Sequence, residues 1–229
     1  MFQYIAKGIC FTTIISLTGI CGFILYRSKV VDEKKFNLVF DIDHTIIHSK
    51  NEESIENINK NIIKTPNYSF VLNNTKYLIW RRPFAKFILR QLSMYNNIYI
   101  YTAATQEYAE IILSNLFKNI KFKKNLYRNS SLYGKNLDKL NLDNSMTILF
   151  DDNKSNHINK KNMFFHIYPY FFFNAFDIEM LNIYVYVLFI NLFGFNFTNK
   201  LYKNNILPTH NEKNIRKCAN FGFCEKLDI

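Results

Sequence analysis

Three short apolar runs, 36–40 (FNLVF), 97–101 (NIYIY) and 146–150 (MTILF), constrain the fold of this chain more than any other feature. Each has the length and the β-branched or aromatic content of a buried strand, and each stops at polar residues: Asp41, Thr102 and the pair Asp151-Asp152. Helical patterns lie between and after them. Pro83 opens one over 84–94, with Phe84, Phe87, Ile88 and Leu92 on a single face. Thr105 is placed to cap a second, 106–117, which carries Glu107 in its first turn. A third, 178–193, is strongly apolar; Asn182 and Asn191 argue against a membrane span, so it is expected to pack on the sheet. Residues 68–72 and 76–80 around Asn73-Asn74-Thr75 read as a hairpin, and the polar stretch 49–67 as a loop or short insertion. Strands alternating with helices at these lengths predict an α/β fold with a parallel sheet, whose ligands bind at the carboxyl ends of the strands.

The size of the chain, 229 residues, suits one domain with little room for a second. Its 48% apolar content supports a sizeable core, while a mean hydropathy of -0.12 excludes a polytopic membrane protein. The net charge of +11, from 29 Lys+Arg against 18 Asp+Glu, excludes an acidic buffering surface and points to acidic partners. The 31 Asn, with abundant Lys, Ile, Tyr and Phe, suggest a drifted composition in which Lys fills surface positions. Nucleic acid is therefore an unlikely partner, and the aromatics follow core periodicity rather than a base-stacking pattern. The basic run 118–124 (KNIKFKK) is either a solvated face or a surface for an acidic phosphopeptide or a membrane. Cysteines at 10, 21, 218 and 224 form no disulfide framework, and with His210 they miss zinc spacing, which favours a reducing compartment.

From Gly8 to Tyr26 no residue carries a formal charge. As a helix these 19 residues span roughly 28 Å at ~1.5 Å per residue, about one hydrocarbon core. A cleaved signal peptide and a buried core helix are the other readings. The GICG at 19–22 is a poor cleavage site and the scattered Thr and Ser form no polar stripe, so a single-pass anchor is preferred. Arg27, Lys29, Lys34 and Lys35 outnumber Lys7 across the segment, which directs the main domain to the cytosol or nucleoplasm. The organisation expected is an anchor and short linker (1–35), a catalytic-type domain (36–200) and a basic tail (201–229). The nine-residue linker would hold the domain near anionic headgroups.

Asp41-Ile42-Asp43-His44-Thr45 sets two carboxylates at i and i+2 directly after a buried strand. One can serve as nucleophile and the other as general acid/base if their surroundings separate their pKa values. Asp151-Asp152 would complete a set of hard oxygens suited to Mg²⁺. Lys135 can neutralise a phosphate, and the Thr102 hydroxyl can bond one of its oxygens.

The run LVFDIDHTIIHS (38–49) resembles the D-x-D-x-T signature of the haloacid-dehalogenase (HAD) superfamily. Within it, the chain is similar to the NLI-interacting-factor-like (FCP1 homology) branch, which holds the small RNA-polymerase-CTD phosphatases and the dullard-type nuclear-envelope phosphatases. YLIWRRPF (77–84), YTAATQEYA (101–109), GKNLDKL (134–140) and ILFDDN (148–153) resemble the further motifs of that branch, in order. The resemblance covers roughly 36–195. It implies a HAD-like parallel sheet flanked by helices, with a small β insertion, and a Mg²⁺-dependent phosphatase acting on phosphoserine or phosphothreonine in proteins. By the same resemblance Asp41 attacks phosphorus to give an aspartyl-phosphate, and Asp43 protonates the leaving oxygen and then activates water. Thr102 and Lys135 hold phosphoryl oxygens, while Asp41, the Asp43 carbonyl and Asp152 ligate Mg²⁺ with Asp151 in support.

The chain departs from the branch in places. His44 stands where an acidic residue is common, Asp152 where the small CTD phosphatases often carry Asn, and Asn136 where Asp usually follows the motif lysine. The stretch between Arg128 and Lys135 is short, so peptide specificity is not implied. Arg128 is a candidate substrate contact or a plain surface arginine. The layout implied is dullard-like, at the nuclear envelope or endoplasmic reticulum. A competing expectation is a non-catalytic receptor subunit of the presequence translocase of the mitochondrial inner membrane, which also places one span before such a domain.

Overall fold

The computed structural model describes residues 35–55, 65–127, 135–156, 163–174 and 177–194. The expected anchor (8–26), most of its linker, the basic tail (201–229), Arg128 and all four cysteines lie outside the described residues. Among those described, no helix is long and apolar enough to cross a membrane.

Five parallel strands form the main sheet: β1 (Asn37–Phe40), β5 (Asn97–Tyr101), β6 (Phe122–Leu126), β7 (Thr147–Asp151) and β8 (Met163–His166). Their order is β6-β5-β1-β7-β8, so β1 lies in the middle and the chain winds outward from it in both directions. Residues of β1 and β7 are buried throughout, as a strand covered on both faces requires, and this is why both read as unbroken apolar runs. Three antiparallel strands, β2 (Ile47–Asn51), β3 (Tyr68–Leu72) and β4 (Thr75–Arg81), make a small separate sheet in the order β2-β4-β3. The β3–β4 hairpin turns as expected at Asn73 and Asn74, whose φ values of 51° and 61° suit the left-handed turn that matches strand twist.

The helices α1 (Ala85–Tyr95), α2 (Gln106–Leu116) and α3 (Glu179–Phe193) occupy the expected positions. The buried face of α1 differs from the expected one. Phe84 precedes the helix with φ 62°, so the phase begins one residue later and Ala85, Ile88, Leu89 and Leu92 turn inward. Phe84 and Phe87 are 51% and 59% exposed. Thr105 occupies the N-cap of α2, but its side chain makes no capping hydrogen bond; its carbonyl accepts from Ala109 N at 3.1 Å. The helix α3 joins the main core through Met180, Ile183, Val187 and Ile190, and its Tyr186 ring lies 4.6 Å from Phe165 of β8.

Three strands were not legible: β2, β6 and the four-residue β8, which sequence reasoning assigned to no element. Part of the expected loop at 49–67 is β2, followed by a 3₁₀ turn at Glu52–Ile55. The end of the basic run 118–124 enters β6, an edge strand whose Lys123 and Lys124 are exposed. Both segments are polar, because an edge strand or a small surface sheet need not bury its side chains.

Candidate active site

Parallel register brings the three strand ends together. Phe40 pairs with Ile100 on one side and with Phe150 on the other, so the residues that follow each strand emerge side by side. Asp41 leaves β1, Thr102 leaves β5 and Asp151 ends β7. The Asp41 amide donates to the Phe150 carbonyl at 3.1 Å and the Thr102 amide to the Leu126 carbonyl at 3.0 Å, which anchors both backbones. This is the switch point of a doubly wound sheet, where ligands bind.

Lys135 enters the cluster from the β6–β7 connection, tied by its amide to the Asn156 carbonyl at 2.9 Å. Its Nζ lies 2.8 Å from Asp41 Oδ1 and 2.6 Å from Asp151 Oδ2. All three residues are buried, as is Thr102. Asp151 also accepts from Asn153 N at 2.8 Å and from Asn156 Nδ2 at 3.0 and 3.1 Å. Asp152 Oδ1 accepts from Thr45 Oγ1 at 3.2 Å. Asp41, Asp151 and Asp152 each offer a carboxylate oxygen within 4.8 Å of the others.

One ammonium thus bridges two carboxylates, with a third beside them. Burial raises the Asp41 pKa to about 7 against the opposing pull of Lys135, with Asp151 and Asp43 adding repulsion. Burial and the charge of Asp151 raise Asp152 as well. Burial alone would lower Lys135, but the charges of Asp41 and Asp151 outweigh it and the net direction is upward. The uncompensated negative charge and the hard oxygens fit a divalent cation such as Mg²⁺. The Asp43 carboxylate stands outside this set.

Asp43 is held separately: Ser49 Oγ donates to its Oδ1 at 3.0 Å and Tyr108 OH to the same oxygen at 2.9 Å. Thr102 Oγ1 accepts from the Ala104 amide at 3.1 Å, which leaves its own proton for another acceptor.

Behind the loop, Arg82 forms a buried two-pronged pair with Asp177, Nε to Oδ1 and Nη2 to Oδ2 both at 2.8 Å. Its Nη1 donates to the Thr45 carbonyl at 2.8 Å and its Nη2 to the Tyr168 carbonyl at 2.7 Å, so one guanidinium joins Thr45 to Tyr168 and Asp177. His44 takes φ 58°, and its carbonyl accepts from Tyr170 N at 2.7 Å. His48, 1% exposed, is pushed down to about 3 by burial, with the charges of His44 and Lys50 acting in the same direction.

Of the residues expected from sequence, Asp41, Thr102, Lys135, Asp151 and Asp152 are brought to one end of the sheet, with Asp43 on the adjoining loop. Sequence reasoning assigned nothing to Thr45, Ser49, Arg82, Tyr108, Asn156 or Asp177. Thr45, Ser49, Arg82 and Tyr108 lie inside the motif runs quoted above, Thr45 as the threonine of D-x-D-x-T, which was a usable signal; nothing local marks Asp177.

A doubly wound sheet with a D-x-D loop, a lysine and an acidic pair at its carboxyl end defines a HAD-like phosphatase fold. Residues 36–194 match the model of the NLI interacting factor-like phosphatase family, and the chain belongs to that family. It is 30% identical over 127 residues to the CTD small phosphatase-like protein 2 of Dictyostelium discoideum, covering 52% of this chain and 21% of that protein. It is 29% identical over 105 residues to the nuclear envelope morphology protein 1 of Saccharomyces cerevisiae, covering 44% and 24%. The solved structure of Fcp1, an essential RNA polymerase II CTD phosphatase, is similar at a TM-score of 0.51 and 26% identity, over 67% of this chain and 49% of that one. A fission yeast Fcp1 structure bound to beryllium fluoride shares the fold at a TM-score of 0.50 and 24% identity, over 69% and 46%. The matches thus span about a quarter or less of the curated relatives and about half of the solved chains.

Proposed function

We propose that this chain is a Mg²⁺-dependent protein serine/threonine phosphatase that works through an aspartyl-phosphate on Asp41. The observation that carries the reading is the buried Lys135 bridge between Asp41 and Asp151 at the ends of β1 and β7. A nucleophilic carboxylate must be ionised, and a neighbouring ammonium favours that form against the burial that opposes it.

Asp41 attacks the phosphorus in line; the bond to the serine or threonine oxygen breaks, and Asp43 supplies the proton that oxygen needs. Both donors to Asp43 fall on Oδ1, which orients Oδ2 as the protonable oxygen. Asp43 then takes a proton from the water that hydrolyses the aspartyl-phosphate. Lys135 Nζ and the Thr102 hydroxyl stabilise the phosphoryl oxygens as charge develops on them. Bound through Asp41, the Asp43 carbonyl and Asp152, with Asp151 in support, Mg²⁺ would offset the repulsion between carboxylates and a phosphate dianion.

The substrate class is a phosphorylated protein, with Arg128 a candidate contact. The domain boundaries 1–35, 36–200 and 201–229, the single-pass anchor with its anionic-lipid contact, and residence at the nuclear envelope or endoplasmic reticulum belong to the same proposal. They are supported by the uncharged 8–26 segment and by the name of the yeast relative. The phosphatase names of the relatives and the complete Asp41/Asp43/Thr102/Lys135/Asp151 set weigh against a binding-only receptor subunit. The full chain should hydrolyse p-nitrophenyl phosphate with Mg²⁺ and lose this activity in Asp41→Asn. Equal trace rates in the two proteins would sink the reading.

A further inference from the structure

The three carboxylates of the acidic cluster are held unequally. Asp151 is fully buried and accepts from Lys135, Asn153 and Asn156, and Asp41 is paired with Lys135. Asp152 is half-buried, and its Oδ1 takes a long bond from Thr45 Oγ1 at 3.2 Å. Burial first, and then the charge of Asp151, disfavour its ionised form. Such repulsion turns a side chain away unless the backbone that carries it is fixed.

The fixing group comes from β8: His166 Nε2 lies 3.0 Å from the Asp152 carbonyl oxygen. We infer that His166 is a positioning residue, which by donating to that carbonyl holds the Asp152 carboxylate beside Asp41 and Asp151, a role that rests on the Mg²⁺ reading above. A carbonyl oxygen only accepts, so Nε2 carries the hydrogen. The neutral Nε2–H tautomer and the imidazolium both supply it, and the contact does not depend on the charge of the ring.

Topology explains why a side chain is needed. The strand β7 ends at Asp151, whose carbonyl accepts from Ile167 N at 3.0 Å within the ladder. The Asp152 carbonyl lies one residue beyond the strand, and His166 takes the part that a ladder amide plays elsewhere. Register sets His166 opposite Asp151, and its ring meets those of Phe164 and Tyr168 at 6.3 and 5.8 Å between centres. The donor thus stands on a strand end rather than a loop, which gives it a defined reach. Strand order places β1 and β8 on either side of β7. Asp152 is accordingly gripped from both neighbours, at its carboxylate by Thr45 and at its carbonyl by His166. Mg²⁺ demands near-ideal octahedral geometry, so a ligand free to swing would weaken its binding.

The test uses the full chain and reads Mg²⁺ binding directly by isothermal titration calorimetry, beside the rate with p-nitrophenyl phosphate. A Gln amide reaches as far as histidine Nε2, whereas an Asn amide stops near the Nδ1 position and Leu donates nothing. His166→Leu and His166→Asn should weaken Mg²⁺ by about 10–100-fold, the usual cost of losing an outer-shell partner, with kcat at saturating Mg²⁺ close to the wild-type value. His166→Gln should restore the affinity. Unchanged Mg²⁺ affinity in His166→Leu, or equal loss in the Gln and Asn variants, would overturn the assignment, as would a fall in kcat that saturating Mg²⁺ does not repair. Should His166→Leu fold poorly, the Gln and Asn variants decide. A wild type that takes up no Mg²⁺ would remove the metal reading and this role with it, whereas equal uptake by wild type and His166→Leu removes the role of His166 alone.

Discussion

Two buried charge clusters lie at this end of the molecule, and they are built on opposite principles. Arg82 meets one carboxylate, Asp177, and spends its other donors on backbone carbonyls, so charge and hydrogen bonds balance. Lys135 meets two carboxylates with a third, Asp152, beside them, so charge does not balance. Burial is similar in both: side-chain exposures are 0% and 3% in the first pair, and 3%, 10% and 0% for Lys135, Asp41 and Asp151. What separates them is whether the protein completes the cluster by itself. A completed cluster braces the fold; an incomplete one keeps an affinity for a cation and a phosphate, at some cost in stability.

The largest effect should come from Asp41→Asn, which removes the proposed nucleophile. Its kcat should fall at least about 10³-fold while its melting temperature stays level or rises, because a repelling charge is gone. A drop in melting temperature with activity retained would reverse the roles of the two clusters. Next, Arg82→Ala should cost about 3–5 kcal/mol, since it strands Asp177 and several carbonyls in the interior. Denaturant titration would read this as a lower midpoint at unchanged slope.

Thr102→Val should lower kcat about 10²-fold with little change in stability, the signature of a donor used mainly in the transition state. Tyr108→Phe removes one of two donors to Asp43 and should cost about 1 kcal/mol of stability and less than about tenfold in kcat. The last is a slope with pH. Asp41 is raised in the folded state from 3.8 to about 7, so the folded protein holds a proton there that the unfolded chain releases. Its contribution is full below about 4 and is lost as pH rises toward 7. His48, lowered to about 3, acts with the opposite sign and loses its contribution as pH falls below 6.5. In chelator, the wild-type melting temperature relative to Asp41→Asn should therefore decline between pH 4 and 7, and Mg²⁺ should flatten the difference.

The strands that carry the site were legible because burial on both faces leaves a continuous apolar run that stops where the chain meets the ligand. Thus β1, β5 and β7 could be placed within a residue, and so could Asp41, Thr102 and Asp151 at their ends. The strands β2 and β6 were hidden because strands that face water or lie at an edge keep polar side chains. The face of α1 was misread by a single residue, since the left-handed Phe84 shifts the phase and local sequence does not announce it. Lys135 was legible as a motif member, but not as a bridge between two carboxylates.

By itself, then, the sequence determined the class of fold, the family and the kinds of side chain at each strand end, because these depend on local pattern and on short motifs. Only the tertiary structure decided how they combine. The order β5-β1-β7 sets Asp41 beside Asp151, and the fold brings Asp177 to Arg82 across 95 positions and the Tyr170 carbonyl to His44 across 126. Such pairings follow from strand order and from the packing of the connections against the strand ends, which couple positions far apart in the chain and so leave no periodic trace in it.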